Sequence, residues 1–269
     1  VLGGGGGAGL FHLGVFSMFE EMGVTPEFIV GSSMGSIIGL IRAIDRDYDP
    51  FSTALALPRE LDYNLVFRPF TGFSRFGFPG AFHLNLLRVA REIFQELVGS
   101  PDVRFQDLSI PLEVVACGIR SGYQIEAEEY AREAPDSMTP LSIRHNLRLF
   151  FKAVRQLTRN PRFLSEIIFG QDRITENFPV VEAVGFSCSV PGLLHFDIFH
   201  DDPATIQPLE MLFERHELLR LCDGGVVNNV ASDTAWDSVY RGKIGARNTF
   251  IAAFDVFAPV PRSKNVIWL

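Results

Sequence analysis

The feature that most constrains this chain is the five-residue turn Gly31-Ser32-Ser33-Met34-Gly35, set between a short apolar run and a longer one. Phe28-Ile29-Val30 before it has the length and character of a buried strand, and Ile37 to Ile44 after it carries apolar residues at helical spacing. A chain that leaves a strand and enters a helix within so few residues turns sharply, and small residues on either side keep backbone and helix from colliding. The G-x-S-x-G pattern in that setting projects Ser33 from the strand end, with the amide dipoles of the new helix aimed at it.

Upstream, Val1-Leu2 reads as the end of a strand, followed by a glycine run from Gly3 to Gly7 with Gly9. A helix is then predicted over 10–22, closed by Gly23. The glycine run has two readings. Gly4, Gly6 and Gly9 fit G-x-G-x-x-G, a cradle for a dinucleotide pyrophosphate, which calls for an acidic residue near the end of the next strand. Gly31-Ser32-Ser33 stands there instead. The other reading is an oxyanion hole, in which backbone N–H groups of Gly5, Gly6 and Gly7 receive the charge formed when Ser33 attacks an ester. One such donor is typically worth about 10²- to 10³-fold in rate.

A serine nucleophile needs a base. The usual order of serine, acid and histidine is formally met by Ser33 with Asp197, Asp201 or Asp202 and His216. Against it, Ser33 lies on the second strand, too early for that fold, and His216 sits inside the charged, helix-like stretch 209–221. Asp223 is better placed, because it ends the apolar run Leu218 to Cys222 and precedes Gly224-Gly225. It is expected to emerge at the same carboxyl edge of a parallel sheet as Ser33. A carboxylate serves as the base directly when burial raises its pKa and it lies within hydrogen-bond reach.

Around these motifs, strands are predicted at 112–117 and 249–257 and helices at 84–98 and 178–186, with an aromatic, proline-rich loop region over 45–80. Strands separated by helical stretches predict an α/β fold with a mostly parallel central sheet flanked by helices on both faces. With 269 residues, 47% of them hydrophobic, the chain is expected to form one domain over 1–269. Residues 137–168 are expected to form a helical cap or insertion within it. Arg144, Arg148, Lys152, Arg155 and Arg159 recur there at three- and four-residue steps, which on a helix makes a basic stripe. Such a stripe is either a solvated face or a contact for an anionic lipid surface.

A net charge of −8 argues against a nucleic-acid binder. The three cysteines, Cys117, Cys188 and Cys222, are far apart and read as buried free thiols, and no histidine spacing suggests a metal site. No apolar run approaches the roughly 20 residues needed to cross a bilayer. A soluble or peripherally membrane-bound chain is expected, with its compartment unassigned.

Three ordered motifs together resemble the patatin-like phospholipase family: the loop Gly4-Gly5-Gly6-Gly7-Ala8-Gly9, the elbow Gly31 to Gly35, and Asp223-Gly224-Gly225. The stretches 10–15, 110–118 and 183–192 are also similar to the family, so the likeness covers most of the chain. The resemblance implies a three-layer fold, a Ser33/Asp223 dyad, an acyl-enzyme intermediate, no cofactor or metal, and lipid acyl esters such as phospholipids or glycerides as substrates. It also implies a membrane or lipid-droplet surface as the place of work. Two positions depart from the family's pattern: Ala8 stands where Arg or Lys is common, and Val230-Ala231 stands where a proline usually follows the aspartate turn. The rival readings are a catalytically weak lipid-binding module with this fold and a nucleotide-binding α/β protein.

Overall fold

The structure is a computed structural model that describes residues 1–44, 66–69, 74–86, 100, 102–121, 155, 159, 161–246 and 248–256. Along the chain run α1 (Phe11–Glu21), β1 (Ile29–Ser32), α2 (Met34–Ile44), β2 (Phe67–Pro69), β3 (Gly80–Leu84), β4 (Leu112–Arg120) and β5 (Leu164–Phe169). They are followed by α3 (Val180–Ser187), β6 (Gly192–His195), α4 (Pro203–His216), β7 (Leu218–Asp223) and α5 (Ser232–Tyr240). Local chemistry accounts for several ends. Gly23, in the left-handed region at φ +67, closes α1. Asp202 caps α4 by accepting the Ala204 amide, with Pro203 as the first helical residue.

Strand β4 is the axis of the main sheet. Its side chains alternate, so Leu112, Val114 and Ala116 join the large core that α2 and α3 cover, while Val115 packs with Val30, Ala231 and Ala235 beneath α5. Helices therefore cover both faces, the expected α/β arrangement in three layers. The sheet is mixed, however, where a mostly parallel one is expected. β1 runs parallel to β4, but β5 and β7 run antiparallel to it. The reason lies in the connections. The helix that feeds β7 comes from β6, a strand of a second sheet, so the right-handed crossover rule that makes βαβ strands parallel does not apply to that pair.

That second sheet, β2-β3-β6, takes β2 and the start of β3 from the stretch that reads as an aromatic loop region and β6 from well beyond it. It is tied to β7 through Phe78 N–H to the Leu221 carbonyl (2.7 Å) and Leu221 N–H to the Phe76 carbonyl (2.8 Å). The buried Asp197 carboxylate anchors the connection by accepting the amides of Arg75 (2.6 Å) and Ile198 (2.9 Å). Burial alone pushes its pKa up, but His195 and the amides of Arg75, Phe76 and Ile198 outweigh that and hold it below the ordinary value.

Other expectations are corrected. Residues 249–257 do not form a strand among the described residues: Phe254 makes a single bridge to Leu2. Of the cap expected at 137–168, residues 164–168 belong instead to β5, and Pro161–Phe163 form a 3-10 turn. Arg155 and Arg159 are helical and exposed, while Arg144, Arg148 and Lys152 lie outside the described residues, as does most of the helix expected at 84–98. The three cysteines are buried free thiols, as expected. Among the described residues, no helix is long and apolar enough to cross a membrane.

Candidate active site

The site is built where two strands meet end to end. In register, Ser32 of β1 lies opposite Val115, and Asp223 of β7 lies opposite Ala116. Because β5 occupies the other side of β4 over Val114 to Ile119, β1 and β7 share one side of it. One strand runs parallel and the other antiparallel, so their carboxyl ends point at each other across the Val115–Ala116 step. Asp223 thus reaches Ser33 by head-on approach, where a shared carboxyl edge of parallel strands is expected.

Both chain reversals at this junction demand small residues. Ser33 adopts φ +50, a left-handed conformation that costs a non-glycine residue about 1–3 kcal/mol when held. A Cβ at Gly35 would stand 2.2 Å from the Leu2 carbonyl oxygen, and one at Gly224 only 2.1 Å from that of Val115. A Cβ at Gly31 would stand 2.6 Å from Ser36 Cα. The strain at Ser33 is held by specific bonds: its N–H donates to Ser187 Oγ (2.8 Å), and Ser187 Oγ donates in turn to the Val115 carbonyl (2.6 Å). Its carbonyl accepts both the Ser36 amide (2.8 Å) and the Ser36 hydroxyl (2.6 Å).

What remains for Ser33 is its hydroxyl, which donates to Asp223 Oδ2 at 2.6 Å. Asp223 Oδ1 accepts the Gly225 amide at 2.8 Å. Burial pushes the Asp223 pKa up to about 6, against the lowering effect of these two hydrogen bonds. Its neighbouring thiols, Cys188 and Cys222, are held neutral because burial pushes them up as well. Among the described residues, no histidine bonds to Ser33 or Asp223. The components of the alternative triad are dispersed: Asp197 anchors the second sheet, Asp201 pairs with Arg75, Asp202 caps α4, and His216 ends that helix.

The glycine loop lies against this pair. A Cβ at Gly4 would meet Ser33 Cβ at 2.7 Å, and one at Gly9 would meet the Met34 side chain at 2.4 Å. Gly6 to Leu10 form a 3-10 turn, with Gly6 at φ +51 and open space around both Gly6 and Gly7. Among the described residues, no hydrogen bond uses the amides of Gly5, Gly6 or Gly7.

Three residues that escape sequence reasoning hold this arrangement. Ser187 fixes the elbow. His12, fully buried, bonds the Gly3 carbonyl at 2.8 Å through Nε2. Asn229 Oδ1 accepts the Gly4 amide at 2.9 Å. The only signal for Asn229 in the sequence is an amide pair, Asn228-Asn229, in an otherwise apolar turn.

Over 50 residues, 19% of this chain, the sequence is 48% identical to Lysophospholipase NTE1 of Kluyveromyces lactis and to the Saccharomyces cerevisiae protein of the same name. It is 42% identical over 50 residues to Lysophospholipase NTE1 of Yarrowia lipolytica. These matches span 3–4% of the length of those curated relatives. Residues 1–236 match the family described as Patatin-like phospholipase, a span that contains the glycine loop, the Ser33 elbow and the Asp223 turn. The chain belongs to the patatin-like phospholipase family.

Proposed function

We propose that the protein hydrolyses fatty-acyl esters of phospholipids or glycerides through a Ser33/Asp223 dyad. The observation that carries this reading is the 2.6 Å hydrogen bond from Ser33 Oγ to a buried carboxylate whose pKa lies at about 6. Such a group is ionised at neutral pH yet basic enough to accept a proton in a transition state.

Asp223 takes the hydroxyl proton as Ser33 Oγ attacks the ester carbonyl carbon. The carbonyl π electrons move onto oxygen, and that oxyanion is received by amides of Gly5, Gly6 and Gly7. Collapse of the tetrahedral intermediate breaks the bond to the alcohol, which leaves with the proton from Asp223. Water then attacks the acyl-serine as Asp223 takes a proton from it. The second collapse restores Ser33 and releases the fatty acid. No residue at Ala8 adds a positive charge, so the oxyanion depends on backbone donors.

The name of the relatives makes a single-chain phospholipid the first substrate to try. The basic residues Arg144, Arg148, Lys152, Arg155 and Arg159, spaced in the sequence as on one helix face, are assigned the contact with an anionic bilayer. A fluorophosphonate probe tests the chemistry: wild type is expected to become labelled and Ser33→Ala to remain unlabelled. Folded wild-type protein that fails to react refutes the hydrolase reading in favour of a lipid-binding or nucleotide-binding role. In the same preparations, changing Arg148, Lys152 and Arg155 to Glu weakens binding to phosphatidylserine-containing vesicles, and unchanged binding leaves the stripe a solvated face.

A further inference from the structure

We propose that Asn229 is the positioning residue of the reaction centre, clamping Gly4 so that the three amides after it stay directed at the acyl group on Ser33. The inference rests on the hydrolase reading above and adds to it the group that aligns the oxyanion donors. A glycine run has no side chains to hold its own shape, and each glycine has more backbone freedom than any other residue. Beyond its own 3-10 turn, where Ala8 N–H donates to the Gly5 carbonyl (3.1 Å), such a loop is held in place by bonds to its N–H groups from outside.

They are bonded up to one point and no further. Gly3 N–H donates to the Phe254 carbonyl (3.0 Å), and the Gly3 carbonyl is held by His12. Gly4 N–H donates to Asn229 Oδ1 (2.9 Å), and Asn229 Nδ2 reaches back to the Gly4 carbonyl (3.4 Å). From Gly5 to Gly7 the amides take no acceptor among the described residues. Asn229 is thus the last clamp before the donors begin. It approaches Gly4 on the same side as Ser33: a Cβ there would lie 2.7 Å from Ser33 Cβ and 2.8 Å from Asn229 Oδ1. It also belongs to the turn that carries the base. A Cβ at Gly225 would lie 2.9 Å from Asn229 Oδ1 and 3.0 Å from Asp223 Oδ1, which keeps those two oxygens within about 6 Å of each other. One side chain therefore joins the donor loop to the Asp223 turn, across 225 residues of chain.

The experiment follows hydrolysis of a p-nitrophenyl ester by the full chain across pH. Asn229→Ala removes the acceptor of Gly4 N–H. It is expected to lower kcat about 10- to 100-fold, since a misplacement near 1 Å costs about that much, while KM changes less than about threefold and the acid limb stays near pH 6. Asn229→Asp keeps an acceptor for Gly4 but adds a second carboxylate near Asp223. It is expected to retain more kcat than the alanine variant at high pH and to move the acid limb upward, because like charges at that range disfavour ionisation. The neighbouring Asn228 bonds Glu166 and Asp233 instead, so Asn228→Ala should leave kcat unchanged. Equal losses at 228 and 229, unchanged kcat in Asn229→Ala, or an unmoved acid limb in Asn229→Asp each overturn the assignment. Wild-type protein that neither turns over the ester nor reacts with fluorophosphonate fails the hydrolase reading itself, and is told apart because no variant is involved.

Discussion

Replacing Asp223 by Asn should abolish turnover and make the protein more stable, and the gain should depend on pH. An unperturbed aspartate has a pKa of 3.8, whereas burial raises that of Asp223 to about 6. The folded chain therefore holds this proton more tightly than the unfolded chain does. Stability from the protonated carboxyl is fully present below pH 3.8 and is lost as pH rises through 6. Two pKa units correspond to about 3 kcal/mol, so at pH 8 the buried charge destabilises the wild type by that order. An asparagine side chain can keep both contacts, accepting from Gly225 N–H and donating to Ser33 Oγ, without that charge. For a domain of this size, about 3 kcal/mol is roughly 5–10 °C in Tm. Thermal melts of wild type and Asp223→Asn at pH 8 and pH 4.5 should show the full gap at the higher pH and about a third of it, ~1 kcal/mol, at the lower. Activity should fall at least about 10²-fold, the lower range for a general base. A gap of the same size at both pH values, or none at pH 8, refutes the argument that Asp223 is held as a costly buried base.

Turnover of wild type should rise through an apparent pKa near 6 and fall about tenfold per unit below it, as Asp223 takes up its proton; a flat profile from pH 5 to 8 excludes it as the base. Ser187→Ala leaves the Ser33 amide without its acceptor at a strained residue. It should cost about 1–3 kcal/mol in urea denaturation and slow fluorophosphonate labelling, and a change below about 0.5 kcal/mol contradicts that role. Gly35→Ala drives a Cβ into the Leu2 carbonyl and should cost at least about 1–3 kcal/mol. Gly14→Ala, on the open face of α1, should instead stabilise by up to about 1 kcal/mol. Equal urea midpoints for the two alanine variants would count against the close packing of the elbow.

The elbow, the glycine loop and the aspartate turn are legible in the sequence because each is a local requirement. Sharp reversals and close backbone approach admit only small residues, and the crowding at Gly31, Gly35 and Gly224 reflects that constraint. The limits of α1 and β7 follow from Gly23 and from the apolar run that ends at Asp223 in the same way. The second sheet is not legible, because its strands are short and lie among prolines and aromatics that also suit a loop. Nor is the single bridge from Phe254 to Leu2 that stands in place of a strand among the described residues of 249–257, since strand formation depends on the edge available to it. The direction of β7 relative to β1 is decided by which sheet the preceding strand joins.

The sequence by itself determined which residues are candidates for the chemistry, and singled out Ser33, Asp223 and the glycines. Only the tertiary structure decided how they meet: two strand ends facing each other along one side of β4, with Ser187 and Asn229 bonding residues 154 and 225 positions away. Turn chemistry is set by the sterics of adjacent residues, which sequence spacing records. A hydrogen bond across most of the chain is set by the packing of whole layers, and no local spacing records that.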